Sequence, residues 1–471
     1  MRIDEVGDVQ LGRQRSPKNR SASYPTKYLR AANITERGLD VTDVLEMDFK
    51  PSERERYQLH PGDIILSEAS GSASQVGKPA MWRGELPLCC FQNTVIRLRP
   101  KHADSKYLLW LFTHFYRNGI FSRVAAGVGI NHLSAAKFKQ LEIPVPSLPL
   151  QRRIVAELEK QFTRLDAGGA ALRRTQANLK RYRAAVLKAA CEGRLVPTEA
   201  ELAKQQFSRR GSIPKNNNPL DFESGASLLD RILNERRQWF DAQQAEAITK
   251  KKYVEPAQPA TAGLPSLPDG WTWGTWNQIS NWVTYGFTRP MPHVDAGIPI
   301  ITAKGVIKGR IDFEGAHLTP RDAYVDLSEK DRPQVGDILI TKDGTIGRAA
   351  VVDTSREFCI NQSVAVIWLR ACPIERKFLL TVIESELTQK PIWAKARGVA
   401  IQHLSITDFA KMALPIPPLA EQTRIVAEVE RRLSVVEELE AIVNANLQRA
   451  TRLHRSVLLQ AFSAQTFSSD R

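Results

Sequence analysis

Several hallmarks of other protein classes are missing from this 471-residue sequence. No uninterrupted apolar stretch approaches the roughly eighteen residues that a membrane span needs, so no membrane partner is expected. The opening MRIDEVGDVQLGRQR has no apolar segment behind its first basic residue, so a secretory signal is not indicated. Cysteine is scarce. Cys89, Cys90, Cys191, Cys359 and Cys372 are odd in number and include no C-x-x-C pair, which speaks against a disulfide framework or a metal site. A reducing cytoplasm is the expected setting.

Signatures of catalysis are missing as well. There is no G-x-x-x-x-G-K-[ST] phosphate loop, no G-x-G-x-x-G opening a helix after a strand, no H-E-x-x-H and no G-x-S-x-G. Pro417-Pro418 lies between Ile416 and Leu419, not between the Asn or Asp and the aromatic of an adenine-methyltransferase tetrapeptide. No cofactor is therefore expected in this chain. Asp63 and Asp337 each follow a glycine at the start of a strand-like run, where an aspartate ordinarily bonds local backbone.

What is present is globular. Hydrophobic residues make up 42% and charged residues 25%, which excludes wholesale disorder, and the length favours two to four domains. Lys and Arg number 66 against 51 Asp and Glu, a net charge of +15 that suits a polyanionic partner.

The chain repeats itself. IPVPSLPLQRRIVAELE (143–159) lies over LPIPPLAEQTRIVAEVE (414–430) with ten of seventeen positions identical at an offset of 271. The same offset aligns GVGINHLSAAKF (127–138) with GVAIQHLSITDF (398–409). With small length changes, PGDIILS (61–67) matches VGDILIT (335–341), and CFQNTV (90–95) resembles CINQSV (359–364). The organisation is a tandem duplication of an α+β unit followed by a long helix. Strands are expected near 63–67, 94–98, 337–341 and 363–368, and shorter helices at 105–117 and 375–386. Pro144/Pro146 and Pro415/Pro417 stop each unit ahead of its long helix.

Within those helices Leu158, Leu165, Leu172, Leu179 and Val186 recur every seven residues, as do Val429, Val436, Val443, Ala450 and Val457. Ile154, Phe162 and Tyr182, and Ile425, Leu433, Leu439 and Leu453, should widen the stripe. A seven-residue apolar repeat held this long predicts a coiled coil, with Gly168-Gly169 as a point of weakness. Residues 201–260 have no counterpart. They read as a mobile connector holding one helix, about Ser227 to Ile248, and a basic linker with Lys250-Lys251-Lys252.

A duplicated basic scaffold suits duplex DNA, where two similar surfaces read two short sequences across an unread gap. Arg and Lys pair with guanine, and Asn and Gln with adenine. The candidate readers of the first unit are Arg13, Arg15, Lys18, Asn19, Arg20, Ser72, Ser74, Gln75, Lys78, Gln92, Asn93, Asn131 and His132. Those of the second are Thr288, Arg289, His293, Lys342, Thr345, Arg348, Asn361, Gln362, Gln402 and His403. Any one of them is as readily a solvated turn residue; the collective pattern carries the expectation. His132 and His403 sit in matching His-Leu-Ser triplets, with no nucleophile or metal partner recurring beside them.

These residues resemble the specificity subunits of type I restriction–modification systems. The carriers are the paired proline–leucine–Gln–Arg-Ile-Val-Ala-Glu helix starts, the Gly-Asp-Ile strands and LPSLPDGWTW (264–273). The resemblance implies target-recognition domains at 1–145 and 261–413, helical spacers at 146–200 and 414–471 that pack antiparallel, and the connector at 201–260. It also implies a non-catalytic subunit that reads a bipartite double-stranded DNA site. Two methyltransferase subunits carrying S-adenosylmethionine would join it, with restriction subunits supplying ATP and Mg chemistry. One departure stands out: the first unit has no counterpart of Leu264–Trp276, so either the start is assigned late or the C-terminal region supplies that edge. Two rivals stay open, the recognition half of a fused restriction–methylation enzyme and a coiled-coil adaptor that binds only protein.

Overall fold

A computed structural model describes residues 1–14, 23–36, 38–68, 75–125, 132–210, 222–246, 252–307, 309–370, 372–396 and 402–463. It contains two compact units, Met1–Thr175 with Ile442–Arg471, and Gln176–Ala441. The long helices, Leu148–Cys191 and Leu419–Ala461, give each unit the opening half of one and the closing half of the other. That is an antiparallel pairing. Gly168 and Gly169 lie inside an uninterrupted helix.

The two units share one topology. The first has a four-stranded antiparallel sheet in the order Gly7–Leu11, Val95–Pro100, Ile64–Ser67, Pro79–Met81. The second repeats it with Trp282–Tyr285, Val364–Trp368, Ile338–Thr341 and Ala349–Val351. A three-stranded sheet accompanies each, around Pro25–Leu29 and around Ile298–Ile301. In each sheet one central strand opens on three consecutive apolar residues, Ile64–Leu66 and Ile338–Ile340, because both of its faces are covered. Ile64 and Leu66 join the core beneath helix Ser105–Arg117, while Ile65 faces Leu29, Trp82 and Phe91. In the second unit Ile338 and Ile340 face the helix Arg376–Glu384, and Leu339 the opposite cluster of Ile301, Val306 and Phe358.

A buried glutamine fastens each sheet-and-helix body to its long helix. Gln151 Nε2 donates to the Pro146 carbonyl (2.7 Å), and its Oε1 accepts from the Asp104 amide (2.8 Å) at the cap of helix 105–117. At the 271-residue offset Gln422 donates to Pro417 (2.9 Å) and accepts from Glu375 (2.9 Å). Both side chains are fully buried.

The first unit begins on residues equivalent to the end of the segment it was expected to lack. The Ile3 amide donates to the Leu141 carbonyl (3.0 Å), as Trp276 does to Met412 (3.4 Å), and both residues are wholly buried. The extended pairing of Thr272–Thr275 with Ala413–Ile416 is reduced in the first unit to a single Arg2–Glu142 bridge. Leu458 and Phe462 of the second long helix pack into that same core, Phe462 against Tyr107 and His114.

The heptad positions divide unequally. Leu158, Leu179, Val186, Val429, Val436 and Val443 are buried, whereas Leu165, Leu172, Ala450 and Val457 are half-buried. Ile154, Phe162 and Ile425 are buried as well, but Tyr182, Leu439 and Leu453 are more than 40% exposed and so lie outside the seam they were expected to widen. The connector also differs from expectation. It carries a second helix, Glu199–Arg210, tied to the second long helix by the Arg424–Glu199 ion pair. Its other helix, Gly225–Glu246, buries Leu228, Leu229 and Ile232 in the core of the second unit. Lys250 and Lys251 lie outside the described residues.

Replacing Gln151 or Gln422 with Ala removes the partner of a partly covered backbone amide and carbonyl, a cost of about 1–3 kcal/mol. Thermal unfolding should show a drop of several degrees for each variant; unchanged melting would remove the glutamines from this role. Burial also holds His114 and His454 below the ordinary histidine value of 6.5. Near that pH the unfolded chain takes up protons that the folded first unit resists. Their contribution to stability is therefore present above about pH 6.5 and lost as pH falls below it. Melting from about pH 7.5 to 5.5 should decline, less steeply in H454Q, and a flat profile would count against the neutral buried ring of His114.

Candidate nucleic-acid interface

Backbone hydrogen bonds bring the candidate residues to one end of each four-stranded sheet. In the first unit, strands Gly7–Leu11 and Ile64–Ser67 end there, and Pro79–Met81 and Val95–Pro100 begin there. The Glu68 amide donates to Thr94 (2.9 Å), Leu133 to Glu68 (2.9 Å) and Asn93 to Arg13 (3.1 Å). The second unit repeats each link: Lys342 to Ser363 (2.8 Å), Leu404 to Lys342 (2.8 Å) and Gln362 to Phe287 (2.8 Å). Glycine permits the crossing. A Cβ on Gly12 would sit 2.2 Å from the Gln92 carbonyl oxygen, and one on Gly286 1.9 Å from that of Ile360.

Gln75, Lys78, Gln92, Asn93 and His132 thus share one sheet end with Arg13, and Thr288, Lys342, Thr345, Arg348, Asn361, Gln362, Gln402 and His403 share the other. Thr288, Arg289, Thr345, Arg348, Gln362, His132 and His403 are exposed. His293 is exposed too but belongs to the three-stranded sheet region, stacked on His317 at 4.5 Å. Arg15, Lys18, Asn19, Arg20, Ser72, Ser74 and Asn131 lie outside the described residues.

Several candidates are held by neighbours inside the protein. Arg13 is largely covered: Nε meets Glu53 at 3.0 Å, the guanidinium lies 5.0 Å from the Phe49 ring centre, and a further N–H donates to the Asp48 carbonyl. Lys78 Nζ lies 3.5 Å from Glu36. The Asn361 side-chain oxygen accepts from the Ser363 amide and hydroxyl (3.1 and 2.6 Å). Lys342 pairs with Asp343 at 2.8 Å and overlies Tyr285, whose ring Lys330 also approaches. The Gly-Asp aspartates are structural. Asp63 caps the His60 amide and receives Arg99 through two bonds of 2.8 Å, and Asp337 caps Gln334.

Sequence reasoning missed a carboxylate beside each histidine. His132 Nε2 lies 2.8 Å from Glu68 Oε1, and His403 Nδ1 lies 2.8 Å from Asp343 Oδ1. Burial pushes the Glu68 carboxyl above the ordinary carboxylate range, against the pull of His132. The signal was an acid at the exit of the Gly-Asp strand, displaced by one place between copies: Glu68 aligns with Lys342, and Asp343 follows it. All five cysteines are buried, and desolvation pushes the thiols up, that of Cys89 to about 12, so none is a ready nucleophile.

Comparison with known proteins bears on this double arrangement. The family described as type I restriction modification DNA specificity domain matches residues 1–168 and 296–448, more than half of the chain. The type I restriction enzyme EcoKI specificity subunit of Escherichia coli (strain K12) is 25% identical over 466 residues, spanning 93% of this chain and 82% of its own. The EcoBI specificity subunit of Escherichia coli is 25% identical over 418 residues, 87% and 75% of the two chains. The StySPI specificity subunit of Salmonella potsdam reaches 38% over 172 residues, 36% of each. In fold, the chain is similar to one from work on complex assembly and conformational transition of the type I R-M system, with a TM-score of 0.62 at 18% identity over 98% and 97% of the two chains. The HsdS subunit from Thermoanaerobacter tengcongensis follows at 0.51 and 18%, over 98% and 96%. With the family matched separately in each half of a duplicated chain, this protein belongs to the type I restriction–modification DNA specificity family.

Proposed function

We propose that this chain is the sequence-reading subunit of a cytoplasmic type I restriction–modification complex. Each unit reads one half of a bipartite duplex DNA site through the loops at its sheet end. The paired helices set the unread gap and carry the two methyltransferase subunits, which use S-adenosylmethionine to methylate adenine. Restriction subunits bring ATP and Mg and cleave unmodified DNA. The chain itself carries no catalysis and no cofactor. The observation that supports this reading most directly is the double convergence of polar side chains at equivalent sheet ends, on a chain of net charge +15. It favours DNA over the protein-only adaptor.

The deciding experiment compares adenine methylation across the host genome with and without this gene. A bipartite methylated motif should vanish with it, and persistence of every motif would sink the reading. Purified full-length chain should also be held on duplex DNA with an affinity that falls steeply as salt rises, and should transfer no methyl group from S-adenosylmethionine.

Modularity gives a sharper test. Exchanging residues 13–20 and 72–78 for those of another member should change one half of the methylated motif and leave the other intact. Seven residues added to each helix, near Leu172 and near Val443, keep the apolar register. The added length is about 10 Å at 1.5 Å per residue, or about three base pairs at 3.4 Å each. The gap should lengthen by that amount while the bases read stay the same; altered bases at an unchanged gap would overturn the spacer role.

A further inference from the structure

The histidine–carboxylate pairs carry more than the family assignment. They recur at matching places in the two units although their acids come from different sequence positions, Glu68 and Asp343. Each acid is mostly covered, with side chains 10% and 18% exposed, whereas His132 and His403 are 47% and 54% exposed. The backbone holds both members of each pair close. Leu133, next to His132, donates to the Glu68 carbonyl, and Asp343 is bridged to His403. Each histidine is thus presented from a sheet end where Gln92 and Asn93, or Gln362 and Thr345, also gather.

We infer that Glu68 and Asp343 are positioning residues that fix one ring nitrogen and turn the other toward DNA as a hydrogen-bond acceptor for an exocyclic amino group, adenine N6 or cytosine N4. An ionised carboxylate only accepts, so the ring nitrogen facing it carries the proton. In the neutral ring the opposite nitrogen is left with a lone pair. The free nitrogen is Nδ1 on His132 and Nε2 on His403, because the two acids bind different edges of the ring. A lone pair beside a carboxylate repels a phosphate oxygen, which also only accepts. It suits the amino donors that cytosine and adenine display in the major groove. The same fixing of a histidine by an acid behind it orders metal-binding and catalytic imidazoles.

This inference rests on the DNA-reading function proposed above, and its test separates the two. The complex is purified from its host through a tag on the full-length chain and bound to duplexes carrying the methylated motif. Each adenine is then replaced in turn by purine, and each cytosine by pyrimidin-2-one, which deletes the amino group alone. Wild type should lose about tenfold in affinity at one position in each half-site, the scale of one hydrogen bond. In H132A the loss should vanish in one half-site only, and in H403A in the other. E68A and D343A should weaken binding several-fold, with E68Q and D343N restoring most of it because an amide oxygen still accepts from the ring. Melting temperatures of all variants confirm that they are folded; H132Q and H403Q replace the alanine variants should those unfold. Analogue losses that persist unchanged in both histidine variants would overturn the inference alone. Wild type that shows no preference for the motif would overturn the DNA-reading function, and this inference with it.

Discussion

The interaction on which each unit depends is a single buried amide. Gln151 and Gln422 occupy the first turns of the two long helices, and each ties three elements together: the proline turn that ends a unit, the cap of the unit's own helix, and the long helix. The backbone amide and carbonyl at that partly covered junction take their partner from this one buried side chain. Glutamine supplies a donor and an acceptor on one planar group at the length required. Glutamate lacks the donor, and leucine leaves both groups unmet. This gives a physical reason for the same glutamine in both copies of a motif whose very next position, Arg152 against Thr423, has diverged.

Around that pin the duplication keeps framework and varies chemistry. The Gly-Asp turn survives twice, but its arginine partner does not bind alike. Arg99 grips Asp63 through two bonds of 2.8 Å, while Arg370 reaches Asp337 at 3.5 Å, pairs with Glu329 and lies 4.3 Å from the Trp368 ring centre. Burial raises the Asp337 carboxyl above its ordinary range, which fits the looser pairing. The sheet ends follow the same rule. Backbone links are repeated bond for bond, yet the side chains they hold differ, a lone glutamate with His132 and a lysine–aspartate pair with His403. The duplication thus leaves a constant backbone under variable side chains.

Much of this was legible in the sequence because the repeat is a strong signal. The offset of 271, the Gly-Asp strands and the proline turns locate both units, and period-seven leucines and valines locate the helices. Long-range pairing was harder to see. Nothing local says that Arg13 is enclosed by Glu53, Phe49 and the Asp48 carbonyl, or that Glu68 waits for His132 across 64 residues. The helix Glu199–Arg210 was missed because its composition is polar and no second copy drew attention to it. Tyr182, Leu439 and Leu453 misled for the opposite reason: apolar identity near a heptad suggests burial, but helix angle decides which side chains face a partner.

The long helices show how a repeat can preserve a position while changing its electrostatics. His454 and Arg183 are equivalent at the 271-residue offset, as are Asp166 and Glu437. In the first unit His454 stacks on Phe162 at 4.9 Å and meets Asp166 at 3.4 Å. In the second, Arg183 reaches Glu437 at 3.3 Å and Glu440 at 3.7 Å, beside Leu433 in place of the phenylalanine. A permanent cation with two acids tolerates water and needs no aromatic cover. A histidine held neutral by burial draws its contribution from the ring it stacks on instead. The helix pair is therefore chemically asymmetric although its sequence repeat is regular, and acid should loosen the histidine-containing unit before the arginine-containing one.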